Sequence, residues 1–409
     1  MSFFSPFFCS KSATSETRRE RQPHEGSAIA SKWAAETCRR RPAASPKIRQ
    51  AQFDDYAQIT LLQRRHRLET KSHDQWLNLW IHNPLYKELP DWPIGWVLET
   101  KNREIVGYLG NIPLSYEFRG RRIISATSQG WVVNSSFRSY SFSLLGRFFS
   151  QKQVDLFLNT TVNAYATPGH EAFGEFRVPV GAWDQSVFWI TNYRGCASSL
   201  LAKKGLPASK FLKFPLSFGL FVTDLFAKNN VGPHSKGVAV KDCTSFDVRF
   251  DAFWEESRVN NSHILLAIRS QEMLAWRFQS ALAENRAWVL TIEDGPRLAA
   301  YAIFLRQDNR ELGLNRMRLI DFQSLNGKNE LVVPMLSQAL ERCRKEGIHM
   351  LEVIGFGAEK QRIINSIAPH QRTLDTWLYF YKASGQSLAK VLEDPRCWDP
   401  SCFDGDAGL

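Results

Sequence analysis

The sequence predicts an α+β protein built from two successive units, each a mixed, mostly antiparallel sheet flanked by helices. Three observations carry that expectation. Apolar, strand-like runs come in groups of three with tight turns between them, and each group is followed by helix, strand, helix and strand. The same order occurs twice along the chain at similar length with little sequence identity, as when one fold is used twice. The 409 residues also exceed what one compact core ordinarily accommodates.

Residues 1–45 are rich in Ser, Arg, Ala and Pro without periodicity and read as a disordered segment. The first unit spans 46–200. "KIRQA" is a short strand, and "FDDYAQITLLQRRHRL" has helical spacing at Tyr56, Ile59 and Leu62 behind an acidic start. "HDQWLNLWIH" is a second helix. Three strands follow from Gly95 to Val133, turning at Lys101–Glu104 and Arg119–Arg122. A helix covers Tyr140–Ser150, and "VDLFLNTT" is a buried parallel strand. "NAYATPGHEAFGEF" is a short helix, and "RVPV" and "SVFWITNY" close the unit as strands. A linker with an apolar segment covers 201–243.

The second unit spans 244–383. "FDAFWEESR" and "SQEMLAWRFQ" are helical, and a hairpin turns at Asp294–Gly295. "RMRLIDFQSL" is its third strand. A helix ending at Gly347, the strand "HMLEVIGF", the helix "EKQRIINSI" and the closing strand "TWLYFYKA" complete it. The tail 384–409 reads as loosely held.

Hydrophobic content of 44% and charged content of 23% fit a soluble globular chain. The formal charge of +11 comprises +6 in residues 1–50 and −3 from Ala383 onward, which leaves +8 for the body. That favours an anionic ligand, yet no basic block resembles a nucleic-acid arm, so no DNA partner is expected. Seven scattered cysteines without a CxxC pair suggest neither a zinc ribbon nor a disulfide framework. They point to no metal and to a reducing, cytoplasmic compartment. The longest apolar stretch, "FLKFPLSFGLFVTDLF", is interrupted by Lys213, Pro215 and Asp224. It reads as a buried or surface-lying segment, and a peripheral membrane contact through 211–226 stays open.

The chemistry concentrates in "QGWVVNSSFRSYSFS", where an apolar strand runs into Arg138 and alternating serines at the mouth of a helix. A helix start collects anions, because its first N–H groups lack partners and the backbone dipole is positive there. Serine is also an ordinary helix cap, and that plainer reading stays open.

Both halves resemble the GNAT acyltransferase superfamily over about 47–195 and, less specifically, 245–382. The whole chain looks like the tandem GNAT proteins associated with bacterial polysaccharide and cell-envelope genes, through "RSQEMLAWRF" and "RLIDF". The family's phosphate loop, Gln/Arg-x-x-Gly-x-Gly/Ala, aligns with "RSYSFS". Arg138 matches, while Ser141 and Ser143 replace the glycines. The resemblance implies that Arg138, Ser139, Ser141, Phe142 and Ser143 hold the pyrophosphate of acetyl- or acyl-coenzyme A. It implies that the main chain of Trp131, Val132 and Val133 pairs with the pantetheine arm. In the run Asn163, Ala166, His170, Gly174, it implies that Asn163 contacts the cofactor and that His170 protonates the leaving thiolate.

The strand before the loop offers only Gln129 where the family often has a carboxylate base. Glu117 and Asp155 are the candidates, and either is equally a surface carboxylate. Asp321 sits in an apolar strand with Arg277 as its expected partner, either as a structural ion pair or as an acceptor clamp between the units. "SLNGKNELVVP" in the second half reads as a plain turn. The activity implied is transfer of an acyl group from coenzyme A to an amine or hydroxyl of a small-molecule or sugar acceptor. Two alternatives stand beside it: a Fem-like aminoacyl transferase using aminoacyl-tRNA, and a degraded GNAT scaffold that binds a partner.

Overall fold

The computed structural model describes residues 45–226 and 238–409 apart from 182, 208, 375 and 376. The expected disordered segment therefore lies outside the described residues, save its last position.

The first half contains β1 (Lys47–Gln50), α1 (Tyr56–Arg65), α2 (His73–Asn78), α3 (Pro84–Glu88), β2 (Gly95–Glu99), β3 (Ile105–Phe118) and β4 (Arg121–Val133). It continues with α4 (Ser141–Phe149), β5 (Leu156–Val162), α5 (Thr167–Ala172), β6 (Phe176–Arg177), β7 (Gln185–Ile190), α6 (Tyr193–Lys203) and α7 (Lys210–Phe226). Local chemistry sets several of these boundaries. Ser72 accepts from the Gln75 amide while the Gln75 side chain returns to Ser72, a capping box at the start of α2. Helix α4 buries Leu144, Leu145 and Phe148 on one face, at helical spacing, against β2 and β3.

The second half contains β8 (Val240–Cys243), α8 (Val248–Asn260), β9 (Leu266–Ala267), α9 (Gln271–Ala283), β10 (Ala287–Asp294), β11 (Arg297–Arg306) and β12 (Arg316–Ser324). It ends with α10 (Val332–Lys345), β13 (Met350–Ile354), α11 (Ala358–Ile367), β14 (His370–Thr373), β15 (Leu378–Ala383) and α12 (Gln386–Leu392).

Sheet membership does not follow chain order. The first sheet runs β1-β2-β3-β4-β5-β15-β6, with β9 on the end of β3, and the second runs β14-β7-β13-β12-β11-β10-β8. Strand β7, read from sequence as closing the first unit, pairs antiparallel with β13 of the second. Strand β15, read as closing the second unit, lies between β5 and β6 of the first. The halves thus exchange their last long strands symmetrically. Period and composition identify a strand but not its neighbour, so the exchange was invisible along the sequence. β5 is parallel to β4 as expected, but only over Ser125–Leu156 and Ala126–Phe157, and its other edge is antiparallel to β15.

The tail is not loosely held. Cys402, Phe403 and Ala407 are buried in the core that joins the two sheets. Its anchor is Asp321, which accepts from Arg269 Nε at 2.8 Å and Nη2 at 3.2 Å, Ser401 Oγ at 2.7 Å and Gln323 Nε2 at 3.1 Å. Burial works against the Asp321 charge, but Arg269 outweighs it and holds the carboxyl below its usual range. The partner expected from sequence, Arg277, instead donates to the Phe403 carbonyl. Both guanidiniums lie over the Phe403 ring, 4.7 Å and 4.1 Å from its centroid. The tail touches both central strands of the second sheet: Ser401 bonds Asp321 on β12, and Cys402 Sγ donates to the Ile354 carbonyl on β13. It then reaches the first sheet, where Asp406 accepts from the Thr160 amide at 3.0 Å and from the Thr160 and Thr161 hydroxyls.

Two outcomes are expected. A fragment of residues 45–240 lacks β15 and leaves the β5 edge bare, so it should show no cooperative urea transition; a sharp one would refute the exchange. The second concerns pH. Burial pushes the Asp404 carboxyl up to about 6 from 3.8. A raised acid pKa stabilises the fold fully below the unfolded value, and this is lost as pH rises through the folded one. Between about pH 4 and pH 7 the native chain should therefore lose roughly 1–3 kcal/mol relative to Asp404→Asn. Urea unfolding at both ends of that window reads this, and a constant difference would contradict it.

Candidate functional site

The site begins where β4 and β5 part. After Ala126 the parallel ladder stops, so Thr127 to Val133 of β4 face β5 without a strand partner on that edge. A bulge accentuates the parting: the β3–β4 register slips between Tyr108 and Gly110, leaving an extra residue in β4. Gly130 sits there with φ +65°, a left-handed conformation that favours glycine over residues with a Cβ. An edge flanked by a gap is a slot for an extended, amide-bearing ligand that adds like a strand.

The slot opens at the turn Ser135–Tyr140, a 3₁₀ helix that runs directly into α4. Asn134 starts it, its side chain accepting from the Ser136 amide and its carbonyl from the Phe137 amide. The Ser141 amide bonds the Arg138 carbonyl. No residue of the turn is left-handed, so serine is sterically accepted where the family has glycine. Because the turn engages several of its own amides, it offers an anion chiefly side chains. Arg138, Ser139, Phe142 and Ser143 are exposed, with Ser141 half-buried beside them. Trp131 and Val133 are half-buried along the slot, and Val132 is buried against β3.

Inside the slot a buried polar chain crosses from β4 to α5. Ser128 donates to Asn159 Oδ1 through its amide at 2.9 Å and its hydroxyl at 2.6 Å. Asn159 Nδ2 donates to Glu175 Oε1 at 2.7 Å, and Glu175 Oε2 faces His170 Nδ1. The His170 ring meets Trp131 edge-on at 5.8 Å. A carboxylate on Nδ1 fixes the ring and its tautomer, which leaves Nε2 for proton exchange. Sequence reading named His170 as a candidate but not Glu175 or Asn159; the only signal was a glutamate five residues after the histidine.

The opposite face of β4, with Tyr108 of β3 beside it, carries buried polar groups. Tyr108 Oη, Ser125 Oγ, Thr127 Oγ1 and Gln129 Oε1 are buried without a partner among the described residues. Ser125, Thr127 and Gln129 alternate, so they share one face, and Tyr108 Oη lies over Gly110, the rung opposite Gln129. Buried polar atoms of this kind call for water or a ligand. Asp406 on Thr160 borders this side of β5 and was not foreseen as a site residue.

The remaining candidates are held by other contacts. Asn163 is exposed and accepts from the Ala166 amide at 2.9 Å in the turn that precedes α5. Glu117 pairs with Arg258 at 3.2 Å and stands about seven residues beyond Gly110 on β3, about 23 Å along the strand. That distance removes it from any reaction at the slot. Asp155 bonds Arg121 and the Ile124 amide. Asp321 is consumed by the tail anchor. In the second sheet β12 and β13 also part, after Leu319, but the tail lies across that parting, and Asn326 and Gly327 form a plain turn.

No protein family and no curated protein matches the sequence. Solved structures do match. The N-myristoyltransferase of Saccharomyces cerevisiae, solved with myristoyl-CoA and inhibitors bound, is 12% identical with a TM-score of 0.54, covering 85% of this chain and 82% of that one. A GCN5-related N-acetyltransferase from Kribbella flavida is 9% identical with a TM-score of 0.51, covering 83% and 72%. The chain has the GCN5-related N-acetyltransferase fold. A probable N-acyltransferase from Enterococcus faecalis is also similar, 9% identical with a TM-score of 0.50 over 83% of this chain and 73% of that one.

Within this GNAT fold the Glu175 node is testable by itself. Glu175→Ala leaves the His170 and Asn159 donors buried and unpaired, and should cost about 3 kcal/mol in urea unfolding. Glu175→Gln keeps an acceptor and should cost about 1 kcal/mol. Equal, negligible losses would show that the chain of bonds does not form.

Proposed function

We propose that the protein is an acyl-CoA-dependent acyltransferase whose acceptor presents an amine or hydroxyl on a small molecule or sugar. The observation that carries this reading is the parted β4–β5 pair opening onto the exposed Arg138 turn. Trp131 to Val133 would bond the pantetheine arm, with Asn163 near its end. Arg138, Ser139, Ser141 and Ser143 would hold the pyrophosphate, with Phe142 at the mouth. The acceptor would sit on the opposite face of β4, where Tyr108, Thr127 and Gln129 await partners. Its nitrogen or oxygen attacks the thioester carbonyl carbon, the C–S bond breaks, and the thiolate takes a proton from His170 Nε2. The acceptor's proton leaves to water or to Asp406, since Glu117 is remote. Myristoyl-CoA in the yeast structure supports acyl-coenzyme A as the donor class.

A non-catalytic use of the same slot draws on one specific observation: Asn159 already bridges to Ser128 inside it. Calorimetric titration with coenzyme A decides the first step. Binding is expected, about tenfold weaker in Arg138→Ala and nearly lost when Ser141 and Ser143 are both changed to Asp. No heat at about millimolar coenzyme A would overturn the proposal, whereas tight binding without turnover across amine and sugar acceptors would select the binding-protein reading.

A further inference from the structure

We propose that the α6–α7 hairpin docks this protein onto an anionic lipid bilayer, independently of acyl transfer. Helix α7 is oriented opposite to an ordinary surface helix. Its inward face is Leu216, Ser217, Leu220 and Asp224, at intervals of one helical turn. Asp224 accepts from Tyr193 Oη at 2.5 Å and faces His370 Nε2 at 2.9 Å, which pins the helix to the second sheet. The opposite face carries Phe211, Phe214 and Phe218, exposed by 91%, 69% and 60%, with Phe221 and Leu225 continuing the stripe. Single exposed apolar residues are common, but an aromatic row along one helix marks a binding surface.

Charge selects the occupant. Between Tyr193 and Phe226 the sequence holds Arg194, Lys203, Lys204, Lys210 and Lys213, and its one acid is Asp224, which points inward. Aromatic side chains for the headgroup–acyl boundary, on a segment whose five cations and one acid give it a net charge of +4, match an anionic membrane surface. A second copy of the chain would bring the same cations against themselves. Among the described residues no helix is long and apolar enough to cross a membrane. The geometry is therefore that of a helix lying in the interface, with Lys213 beside the aromatic row.

The test is flotation of the full chain with phosphatidylcholine vesicles, with and without about 30% phosphatidylglycerol. The native chain should float with the anionic vesicles and at least about tenfold less with neutral ones or in about 0.5 M salt. Replacing Phe211, Phe214 and Phe218 by Ser should lower anionic binding at least about tenfold while circular dichroism and the coenzyme A titration stay unchanged, since these side chains face outward. Three results would overturn the proposal: no flotation with anionic vesicles, equal flotation of the variant, or a native dimer that the variant splits while neither floats.

Discussion

Strand β15 on the far edge of β5 is the constraint on which the site depends. When β5 leaves β4 after Ala126, its backbone donors and acceptors on that side lose their ladder. A strand bare on both edges inside a protein would be costly. The antiparallel pairing from Leu378–Val162 to Ala383–Leu156 covers the other edge and lets the gap stay open. Since β15 comes from the second half, the slot in the first sheet is held open by the other half of the molecule. β7 does the same for β13.

The two partings have different fates. In the second sheet the tail crosses the gap, bonded to Asp321 on β12 and to Ile354 on β13, with Gly408 packed against Ile320. Among the described residues the first parting is bridged by Ser128 and Asn159, and it ends at an exposed turn. The same tail then reaches Thr160 on β5 through Asp406, so what fills the second gap also borders the first. The Arg269–Asp321 pair that anchors the tail is a structural element acting on the site at a distance.

Much of the fold was legible because its elements are locally specified. The hairpin at Asp294–Gly295, the stop at Gly347 and the apolar stripe of α4 each rest on a few neighbouring residues. Partner choice was not legible, since β7 and β15 are equally apolar whichever sheet receives them. The tail was misread because its fixing contacts are long-range: Asp404 and Asp406 bond inward to Ser401 and to Thr160 and Thr161. At the candidate site, Arg138 and His170 were named from the resemblance of their motifs. Glu175, Asn159 and the unpartnered face of β4 arise from contacts between elements that spacing does not encode.

The exchanged strands also bear on how the chain is made. On the ribosome, β5 emerges long before β15 has been translated. Until residues 378–383 are out, the nascent first sheet carries an unmatched edge, the kind of surface that sticks to other chains. Synthesis would therefore favour either a chaperone that shields that edge or a temporary closure of β4 onto β5, which the arriving strand later undoes.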